Sequence, residues 1–554
     1  MVNYTDVLII GAGPAGLATA DELSTSDICD KLDVTLIDKA NKFGGNGGNT
    51  DNKWNILKAD TKSKTGFWHL IADRGGVWNR QYIEDMTYLG QSIMEKLMKQ
   101  DKKRNWQDLG EPGRYRYDSE SYDYWEKTLG KNNLLLEPLE QFHVGTTRGN
   151  ILMQRWGQEL QQRGVNTQLN TEALNIEKTN QEDYNFKITT DKGDYFAKYC
   201  VLAPGRAREN YGDDILSSVM EPLGLETIVN AVDYGVRIEF DNRAMWDITQ
   251  WKGNNGIYDP KIETITPTGD EMRTFCANLR GGHLALEIKY VNGNKMVLVN
   301  GESSPEDHGN NPANLAILQT FNLKEPGNDP IEWTIKQLDI IRHLTTGLGE
   351  TPRAVIQRMG DFLGNKFYEL NPWLLNYKPG YEKHNLILPT RDEWDSRRSK
   401  YRDDRYNSFN REDFFKSTLD KRTQQGKGQL LGTPGNIRIA FNNSFVNNLE
   451  VMLFRLGNVF PMILHPSSVI AGPEVKYYAR RALADLWSET NISGLYVGGD
   501  GGRGTHGIAP SVVNGFNIGQ GIKIKYLGIE PEKTVYGKKI QVSPDYVGIS
   551  DKKI

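Results

Sequence analysis

The chain has 554 residues, of which 38% are hydrophobic and 25% are charged. This length and composition predict two or more domains with packed cores and exclude wholesale disorder. The formal net charge is −4, from 67 basic and 71 acidic residues. It argues against general nucleic-acid or membrane-surface binding, because proteins with such partners usually carry a basic excess.

The cysteines and the apolar runs of the sequence indicate the cellular compartment of the protein. Cys29, Cys200 and Cys276 lie far apart, which predicts neither a disulfide framework nor a metal site. The absence of a Cys-x-x-Cys pair implies no disulfide redox partner. The first strand pattern begins at residue 6, which leaves no room for a signal peptide, and no apolar run reaches the length of a membrane span. We therefore expect a cytoplasmic protein, in the host cytoplasm if it is virus-encoded.

The first apolar run, residues 7–10, ends in a glycine-rich turn that is followed by a helical pattern. The turn has the spacing Gly11-x-Gly13-x-x-Gly16. The first glycine permits a tight bend, the second lets the backbone approach a pyrophosphate, and the third lets helix and strand pack closely. The helix N-terminus then faces the phosphates with unpaired N–H groups.

A second strand pattern, residues 34–38, ends in Asp38. A carboxylate at this place accepts hydrogen bonds from the adenosine ribose hydroxyls. The alternative is a glycine-rich turn followed by an ordinary surface aspartate. Together the turn and the carboxylate predict a dinucleotide-binding fold, but they do not separate NAD from FAD.

Two later segments distinguish FAD from NAD. Residues 198–205 form a strand pattern that ends in Ala203-Pro204-Gly205, after a hairpin pattern around Lys192-Gly193. Residues 493–500 form another strand that ends in Asp500, followed by a glycine-rich loop and a helical pattern from Ile508. A carboxylate at that strand end can hold the hydroxyls of a ribityl chain. The helix N-terminus can stabilise negative charge on the reduced flavin.

In this order the three segments resemble the glutathione-reductase-type FAD superfamily. There the first motif holds ADP, the A-x-G strand returns to the same domain, and the late G-D motif holds the ribitol. The resemblance implies FAD as the cofactor and an α/β fold, with a discontinuous, three-layer, Rossmann-like FAD domain and a second mixed α+β substrate or cap domain.

The resemblance also implies a set of cofactor contacts. The backbone of Ala173 matches the position that often meets the adenine. The loop that contains Asn46 passes the pyrophosphate and reaches the flavin edge, or its glycines only give the backbone clearance. The predicted cofactor-binding residues are Gly11, Gly13, Pro14, Ala15, Gly16, Asp38, Lys39, Gly44, Gly45, Asn46, Ala173, Ala203, Pro204, Gly205, Gly499, Asp500, Gly507 and Ile508.

Three further blocks are similar to a poorly characterised family of bacterial FAD-dependent dehydrogenases. They are residues 235–239, residues 273–277 with Gly281-Gly282, and residues 499–508. The resemblance extends from residue 5 to about residue 525, with little match between the blocks. It implies a fold and a flavin without a known substrate.

These motifs divide the chain into four parts. The insertion between the first two FAD-domain segments is rich in aromatic residues, and it is either a lid over the substrate or an accessory layer with aromatic packing. The predicted parts are an FAD-binding domain of residues 1–60, 145–206 and 490–530, the insertion of residues 61–144, a substrate or cap domain of residues 207–489, and a C-terminal tail of residues 531–554.

Within the second domain the sequence predicts a mostly antiparallel sheet with flanking helices. Asn292-Gly293 is a hairpin signal between two strand patterns. Helices are predicted at residues 312–321, 331–345 and 474–488. The charge-dense residues 390–426 predict a solvated surface segment or an oligomer contact.

The catalytic candidates are Arg503, His506, Arg280 and His283. Arg503 and His506 lie in the loop after Asp500, where His506 could accept a proton or stabilise a flavin anion. Arg280 would suit a substrate carboxylate. The alternative for all of them is a structural role, such as local hydrogen bonding. The segment of residues 465–468 (HPSS) is a further candidate.

The leading functional hypothesis is an FAD-dependent dehydrogenase or oxidase acting on a small amine, amino acid or hydroxy compound by hydride transfer to flavin N5. No second glycine-rich nucleotide motif follows a strand, which favours a substrate that reduces the flavin directly. One alternative is a tailoring enzyme that uses FAD for a lyase, isomerase or hydroxylation step in a biosynthetic or phage nucleoside-modification pathway. Another is a non-enzymatic electron-transfer flavoprotein.

Overall fold

The structure is a computed structural model. It describes most of the predicted FAD domain and a large sheet within the predicted substrate or cap domain. The described residues are 2–25, 31–45, 53–56, 113–115, 119–137, 140–143, 146–205, 210–211, 219, 222–228, 231–249, 256–257, 259–279, 282–291, 294–302, 312–321, 330–345, 353–372, 432–476, 481–485, 487–500, 507–527, 534–535 and 538–539. The charge-dense residues 390–426 lie outside them.

The strands alternate with helices in the first third of the chain and dominate its middle. In chain order the strands are β1 (Val2–Ile10), β2 (Val34–Asp38), β3 (Lys53–Ile56), β4 (Gly113–Tyr115), β5 (Leu135–Glu137), β6 (Glu140–His143), β7 (Asn166–Leu169), β8 (Ala173–Lys178), β9 (Phe186–Thr190), β10 (Gly193–Leu202), β11 (Asn210–Tyr211), β12 (Thr227–Ile228), β13 (Val232–Phe240), β14 (Lys261–Ile265), β15 (Glu271–Asn278), β16 (His283–Val291), β17 (Asn294–Glu302), β18 (Ala313–Phe321), β19 (Ala354–Arg358), β20 (Gly432–Pro434), β21 (Val469–Lys476), β22 (Arg481–Ala482), β23 (Leu495–Val497), β24 (Thr534–Val535) and β25 (Lys538–Lys539).

The long helices cover the two main sheets. The α-helices are α1 (Pro14–Leu23), α2 (Ser119–Gly130), α3 (Thr146–Gln162), α4 (Trp246–Thr249), α5 (Pro330–Thr345), α6 (Met359–Leu363), α7 (Asn365–Leu370), α8 (Ile437–Ala440), α9 (Asn443–Val459) and α10 (Ile508–Leu527). Among the described helices, none combines the length and the apolar character that a membrane crossing requires.

A seven-stranded sheet carries the nucleotide-binding motifs. Its order is β7-β2-β1-β10-β9-β8, and β23 pairs with the carboxyl end of β10. Strands β7, β2, β1, β10 and β23 run parallel, whereas β8 and β9 form an antiparallel extension. The α/β, Rossmann-like fold class is confirmed, and so is the hairpin around Lys192-Gly193, which joins β9 to β10.

Strand β1 is an apolar run because both of its faces are covered. Val7 and Ile9 pack in a cluster with side chains of α1, α3 and α10. Leu8 and Ile10 pack on the opposite side, with residues of β8, β9 and β10. The sheet therefore lies between two layers, and its carboxyl-terminal edge is where the motifs meet.

The second sheet has eight strands in the order β20-β19-β21-β13-β18-β15-β14-β5. All of its strand pairs are antiparallel except the pair of β19 and β20, in agreement with the predicted mostly antiparallel sheet. Helices α5 and α9 contribute to the large apolar core on one face of this sheet. Strand β17 pairs with β16 in a smaller sheet and also contacts β13 and β21.

Two of the three helices predicted in the second domain are wrong. Residues 313–321 form β18, which is buried along nearly its whole length in the centre of the sheet. A strand covered on both faces reads as an unbroken apolar run, which periodicity alone does not distinguish from a buried helix. Residues 474–488 contain the end of β21 and then β22. The helix predicted at 331–345 is confirmed as α5, and the Asn292-Gly293 hairpin joins β16 to β17.

Part of the aromatic-rich insertion packs into the core of the second sheet. Trp125 of α2 stacks on Phe460 with ring centroids 5.4 Å apart. Strand β5 pairs with β14 and extends the edge of the sheet. These contacts place α2 and β5 against the second sheet.

Candidate functional site

The glycine-rich turn joins β1 to α1 at the carboxyl end of the parallel sheet. Gly11 has φ +112°, a conformation that L side chains rarely adopt. Its N–H donates to Ile37 O at 2.8 Å. A Cβ on Gly11 would lie 2.1 Å from Ala203 O, so both the dihedral angle and the neighbouring strand require glycine here.

The other two glycines of the turn have different surroundings. A Cβ on Gly16 would lie 1.8 Å from Gly11 O, so this glycine lets α1 pack directly behind the turn. A Cβ on Gly13 would meet nothing within 4 Å. Gly13 is the N-cap of α1 and Pro14 follows at the first helical position, where a proline loses no hydrogen bond. The open space is therefore at the N-terminus of the helix.

The Asp38 carboxylate is fixed by two backbone donors. Ala12 N–H donates to Oδ2 at 2.6 Å, and Ala40 N–H donates to Oδ1 at 2.7 Å. A carboxylate has about four acceptor positions, so these two bonds orient the group and leave capacity for ribose hydroxyls.

The loop after Asp38 folds back over the glycine-rich turn. Gly44 N–H donates to Ala12 O at 2.7 Å, and a Cβ on Gly45 would lie 3.5 Å from Gly13 Cα. The Gln154 amide of α3 holds the loop, because its Nε2 donates to Phe43 O at 2.6 Å. No motif in the sequence indicates this role for Gln154. Asn46 lies outside the described residues.

The segment that leads into β8 is tied to the same loop. Thr171 N–H donates to Asp38 O at 2.8 Å, two residues before Ala173. Lys39 lies 3.9 Å from Glu172 in a partly exposed ion pair. These contacts bring the start of β8, including Ala173, to the turn that follows Asp38.

Strands β1, β10 and β23 end at the same level. Ala203 N–H donates to Ile10 O at 2.9 Å, and Gly498 N–H donates to Leu202 O at 2.7 Å. Gly205, two residues later, has φ +74°. The Ala203-Pro204-Gly205 segment and the Gly498-Gly499 segment therefore lie beside the glycine-rich turn.

Asp500 lies at the N-terminus of α10. Its carboxylate accepts a hydrogen bond from Ser511 Oγ at 3.0 Å and from Gly507 N–H at 3.2 Å. Asn514, one turn further along α10, accepts a bond from Gly499 N–H at 2.9 Å and donates to Ser488 Oγ at 2.8 Å. Ser511 and Asn514 were not predicted from the sequence, although their spacing places them on one face of the helix.

Helices α1 and α10 pack closely through small residues. A Cβ on Gly515 would lie 2.1 Å from Ala15 O, and one on Gly499 would lie 3.2 Å from Ala15 Cβ. Thr19 Oγ1 donates to Gly515 O at 3.0 Å. This contact brings the N-termini of both helices to the same edge of the sheet, where their partial positive charges favour anionic groups.

The described geometry fits a dinucleotide. It provides an open helix N-terminus for a pyrophosphate, an oriented carboxylate for a ribose, and a second carboxylate with a second helix N-terminus. By contrast, Arg280, Arg503 and His506 lie outside the described residues. His283 begins β16, and the structure describes only its backbone.

His465 takes part in a local turn. Its Nδ1 accepts a hydrogen bond from Ser467 N–H at 3.2 Å and lies 2.6 Å from Ser467 Oγ. Burial lowers the pKa of His465, although the nearby Asp241 opposes the shift. These contacts match a structural role in the turn before β21.

Comparisons with known proteins identify the first part of the chain. Residues 6–229 match the family described as DAO, FAD dependent oxidoreductase. The match contains the glycine-rich turn, Asp38, Ala173 and the Ala203–Gly205 segment. A search of the curated proteins found no match.

A search of the solved structures found distant similarities along the chain. Glycine oxidase from Geobacillus kaustophilus is 12% identical, with a TM-score of 0.36, covering 94% of this chain and 95% of that one. L-proline dehydrogenase from P. horikoshii is 10% identical, with a TM-score of 0.36 and 95% of each chain covered. A variant of the E. coli quinol fumarate reductase FrdA is 14% identical, with a TM-score of 0.37, covering 94% of this chain and 70% of that one. Likenesses at this level say nothing about the substrate.

The family match and the motif geometry agree on the cofactor and on the class of enzyme. The matched segment is the one that builds the dinucleotide site at the edge of the parallel sheet. The protein is an FAD-dependent oxidoreductase with a Rossmann-like FAD-binding fold.

Proposed function

We propose that the protein dehydrogenates a small amine, amino acid or hydroxy compound. When bound, FAD accepts a hydride at flavin N5 from a substrate carbon. The observation that supports this proposal is the convergence of two helix N-termini on the edge formed by β1, β10 and β23. One N-terminus suits the pyrophosphate, and the other suits the negative charge that a flavin ring gains on reduction.

The proposal gives the described residues separate tasks. The turn from Gly11 to Gly16 holds the pyrophosphate against α1. Asp38 accepts hydrogen bonds from the adenosine ribose, and its two backbone donors keep it oriented without a change on binding. Asp500 holds the ribityl hydroxyls beside the N-terminus of α10.

The proposed catalytic residues come from two separate parts of the sequence. Arg503 and His506 belong to the loop whose flanking residues, Asp500 and Gly507, are hydrogen-bonded to each other. That bond anchors both ends of the loop at α10. Arg280 and His283 belong to the second domain, and we propose that they contact the substrate from there.

An anaerobic screen tests the proposed reaction. The FAD-loaded enzyme is mixed with amines, amino acids, hydroxy acids and NAD(P)H in separate experiments, and the visible flavin absorbance is followed. We expect one class of small substrate to bleach the flavin without a nicotinamide. A flavin that only NAD(P)H bleaches would contradict the proposal.

Substitution of His506 tests its part in proton transfer. His506→Asn should lower kcat by about 10²-fold or more and remove one ionisation from the pH–rate profile, because a general base contributes on this scale. His343→Asn is the matched control, since His343 is an exposed side chain on α5. Retention of the full profile in His506→Asn would exclude the proposed role while leaving the dehydrogenase assignment intact.

The second candidate function is a tailoring enzyme that uses FAD for a lyase, isomerase or hydroxylation step. We propose that the nearer relatives are the poorly characterised bacterial FAD-dependent dehydrogenases. Because that family implies no known substrate, it does not distinguish the two candidate functions. Product analysis separates the two functions. A product with the oxidation state of the substrate favours a lyase or isomerase.

A further inference from the structure

A cysteine and a lysine form a close pair on the second sheet, outside the nucleotide site. Cys276 Sγ lies 3.2 Å from Lys476 Nζ, which is hydrogen-bonding distance to sulfur. Lys476 Nζ also lies 4.0 Å from the centroid of the Phe275 ring. In the described part of the chain Lys476 forms no ion pair with a carboxylate, so the thiol is its polar partner.

The backbone presents Cys276 at an irregularity of β15. The register between β15 and β18 shifts between Phe275 and Asn278, and Cys276 has φ +41°. Such bulges re-aim a side chain out of the regular strand alternation. Cys276 is partly exposed, whereas Cys200 is fully buried in the first domain.

The described residues around Cys276 include two ion pairs. The Arg237 guanidinium forms a bidentate pair with Glu474, at 2.7 and 2.6 Å. The Lys261 ammonium lies 2.8 Å from Asp259. These two pairs are neutral overall, whereas Lys476 places a positive charge beside Cys276 that a thiolate would balance.

The network around this pair also contains an unpartnered donor. Arg237 Nη1 donates to both Cys276 O and Asn314 Oδ1, at 3.1 and 2.7 Å. Asn314 is fully buried, and its Nδ2 has no hydrogen-bond partner among the described residues. A buried amide donor without a partner is unusual and suits an acceptor atom brought by a ligand.

The electrostatics agree with the geometry. Burial raises the pKa of the Cys276 thiol, but the Lys476, Lys261 and Arg237 cations outweigh burial and the Asp259 carboxylate, and the pKa falls to about 7. Burial likewise raises the pKa of Cys200. The two thiols should therefore differ in reactivity at neutral pH.

We propose that Cys276 is a reactive thiolate site that hydrogen peroxide oxidises to a sulfenic acid, with Lys476 as the proton donor. The sulfur attacks one peroxide oxygen, an S–O bond forms and the O–O bond breaks. Sulfur loses two electrons and the peroxide gains them. The leaving hydroxide takes a proton from the Lys476 ammonium and departs as water. This site is independent of the substrate proposed above.

The test uses the full-length, FAD-loaded protein and hydrogen peroxide, with dimedone to trap sulfenic acid and peptide mapping to locate it. We expect Cys276 to be trapped at least tenfold faster than Cys200 at pH 7. Trapping of Cys276 no faster than Cys200 would overturn the proposal.

The Lys476→Met variant tests the ion pair. Its Cys276 should react with iodoacetamide at least tenfold more slowly than wild type at pH 7, and the two rates should converge above pH 9 as the thiol ionises without help. The wild-type rate should rise with a midpoint near pH 7, a measurement that needs no variant. A wild-type midpoint near 9, or an unchanged rate in folded Lys476→Met, would overturn the proposed activation.

Discussion

The Asp38 carboxylate accepts a 2.6 Å hydrogen bond from the Ala12 backbone N–H, which ties the end of β2 directly to the glycine-rich turn after β1. The proposed ribose and pyrophosphate contacts are therefore parts of one rigid unit. Such an oriented group loses little freedom when a ligand binds, which favours affinity.

Asp38→Asn should weaken FAD binding by about 10- to 100-fold, because hydrogen bonds to a charged group contribute about 1.5–3 kcal/mol. The dissociation constant can be measured by quenching of FAD fluorescence. Asp6→Asn is the matched control. Asp6 also accepts a backbone hydrogen bond, from Asp33 N–H at 2.9 Å, but it lies before the carboxyl end of β1. Equal losses of affinity in the two variants would contradict the assigned role of Asp38.

Gly13→Ala and Gly16→Ala should separate binding from folding. Gly13 has φ −78° and room for a Cβ, so Gly13→Ala should keep the stability of the apoprotein and weaken FAD binding at least tenfold, which is about 1.4 kcal/mol. Gly16→Ala should lower the stability of the apoprotein by about 1–3 kcal/mol, because its Cβ would meet the Gly11 backbone.

Thermal unfolding of both apoproteins and FAD titration of both variants check this contrast. Unimpaired FAD binding by Gly13→Ala would show that the open space at the N-terminus of α1 does not hold the pyrophosphate.

The motifs could be predicted from the sequence because each places several constraints on a short segment. Gly11 and Gly16 are required by backbone contacts within and beside one turn, and Asp38 by its place at a strand end. The hydrogen bond from Gln154 to Phe43 O could not be predicted, because it depends on the position of α3 over a loop 111 residues earlier in the chain.

The second sheet was harder to predict because its central strands carry little local signal. Strand β18 is buried on both faces, so its pattern lacks the alternation that marks a half-exposed strand. Arg237 is fully buried in β13 and pairs with Glu474, which is 237 residues distant in sequence. Such a pair leaves no local signal in either strand.

The contact between α1 and α10 gives a third prediction. Gly515→Ala should destabilise the protein by about 1–3 kcal/mol and weaken FAD binding, because the new Cβ would lie 2.1 Å from Ala15 O and push the two helix N-termini apart. Gly130→Ala at the end of α2 is the control, since a Cβ there meets nothing within 4 Å. Chemical unfolding and FAD titration measure the two effects. An unchanged FAD affinity in folded Gly515→Ala would show that the close helix contact is not needed for the site.

A half-buried carboxylate in the second sheet predicts a dependence of stability on pH. Burial raises the pKa of Glu263 to about 7; Arg273 opposes this shift, while Glu137 and Glu271 add to it. Because its ordinary value is 4.5, the folded state binds more protons than the unfolded state between about pH 4.5 and 7. The contribution of Glu263 to the free energy of unfolding is therefore fully present below pH 4.5 and is lost as the pH rises through 7.

Glu263→Gln removes this titration while keeping an amide oxygen opposite Arg273, whose Nε lies 3.1 Å from the carboxylate. The variant should match wild type at pH 4.5 and be more stable at pH 8, by about 1.4 kcal/mol for each unit of pKa shift. Urea unfolding at both pH values measures the difference, and Glu177→Gln, at an exposed position on β8, is the control. A Glu263→Gln variant that is less stable than wild type at pH 8 would mean that the ion pair with Arg273 outweighs the cost of burying the charge.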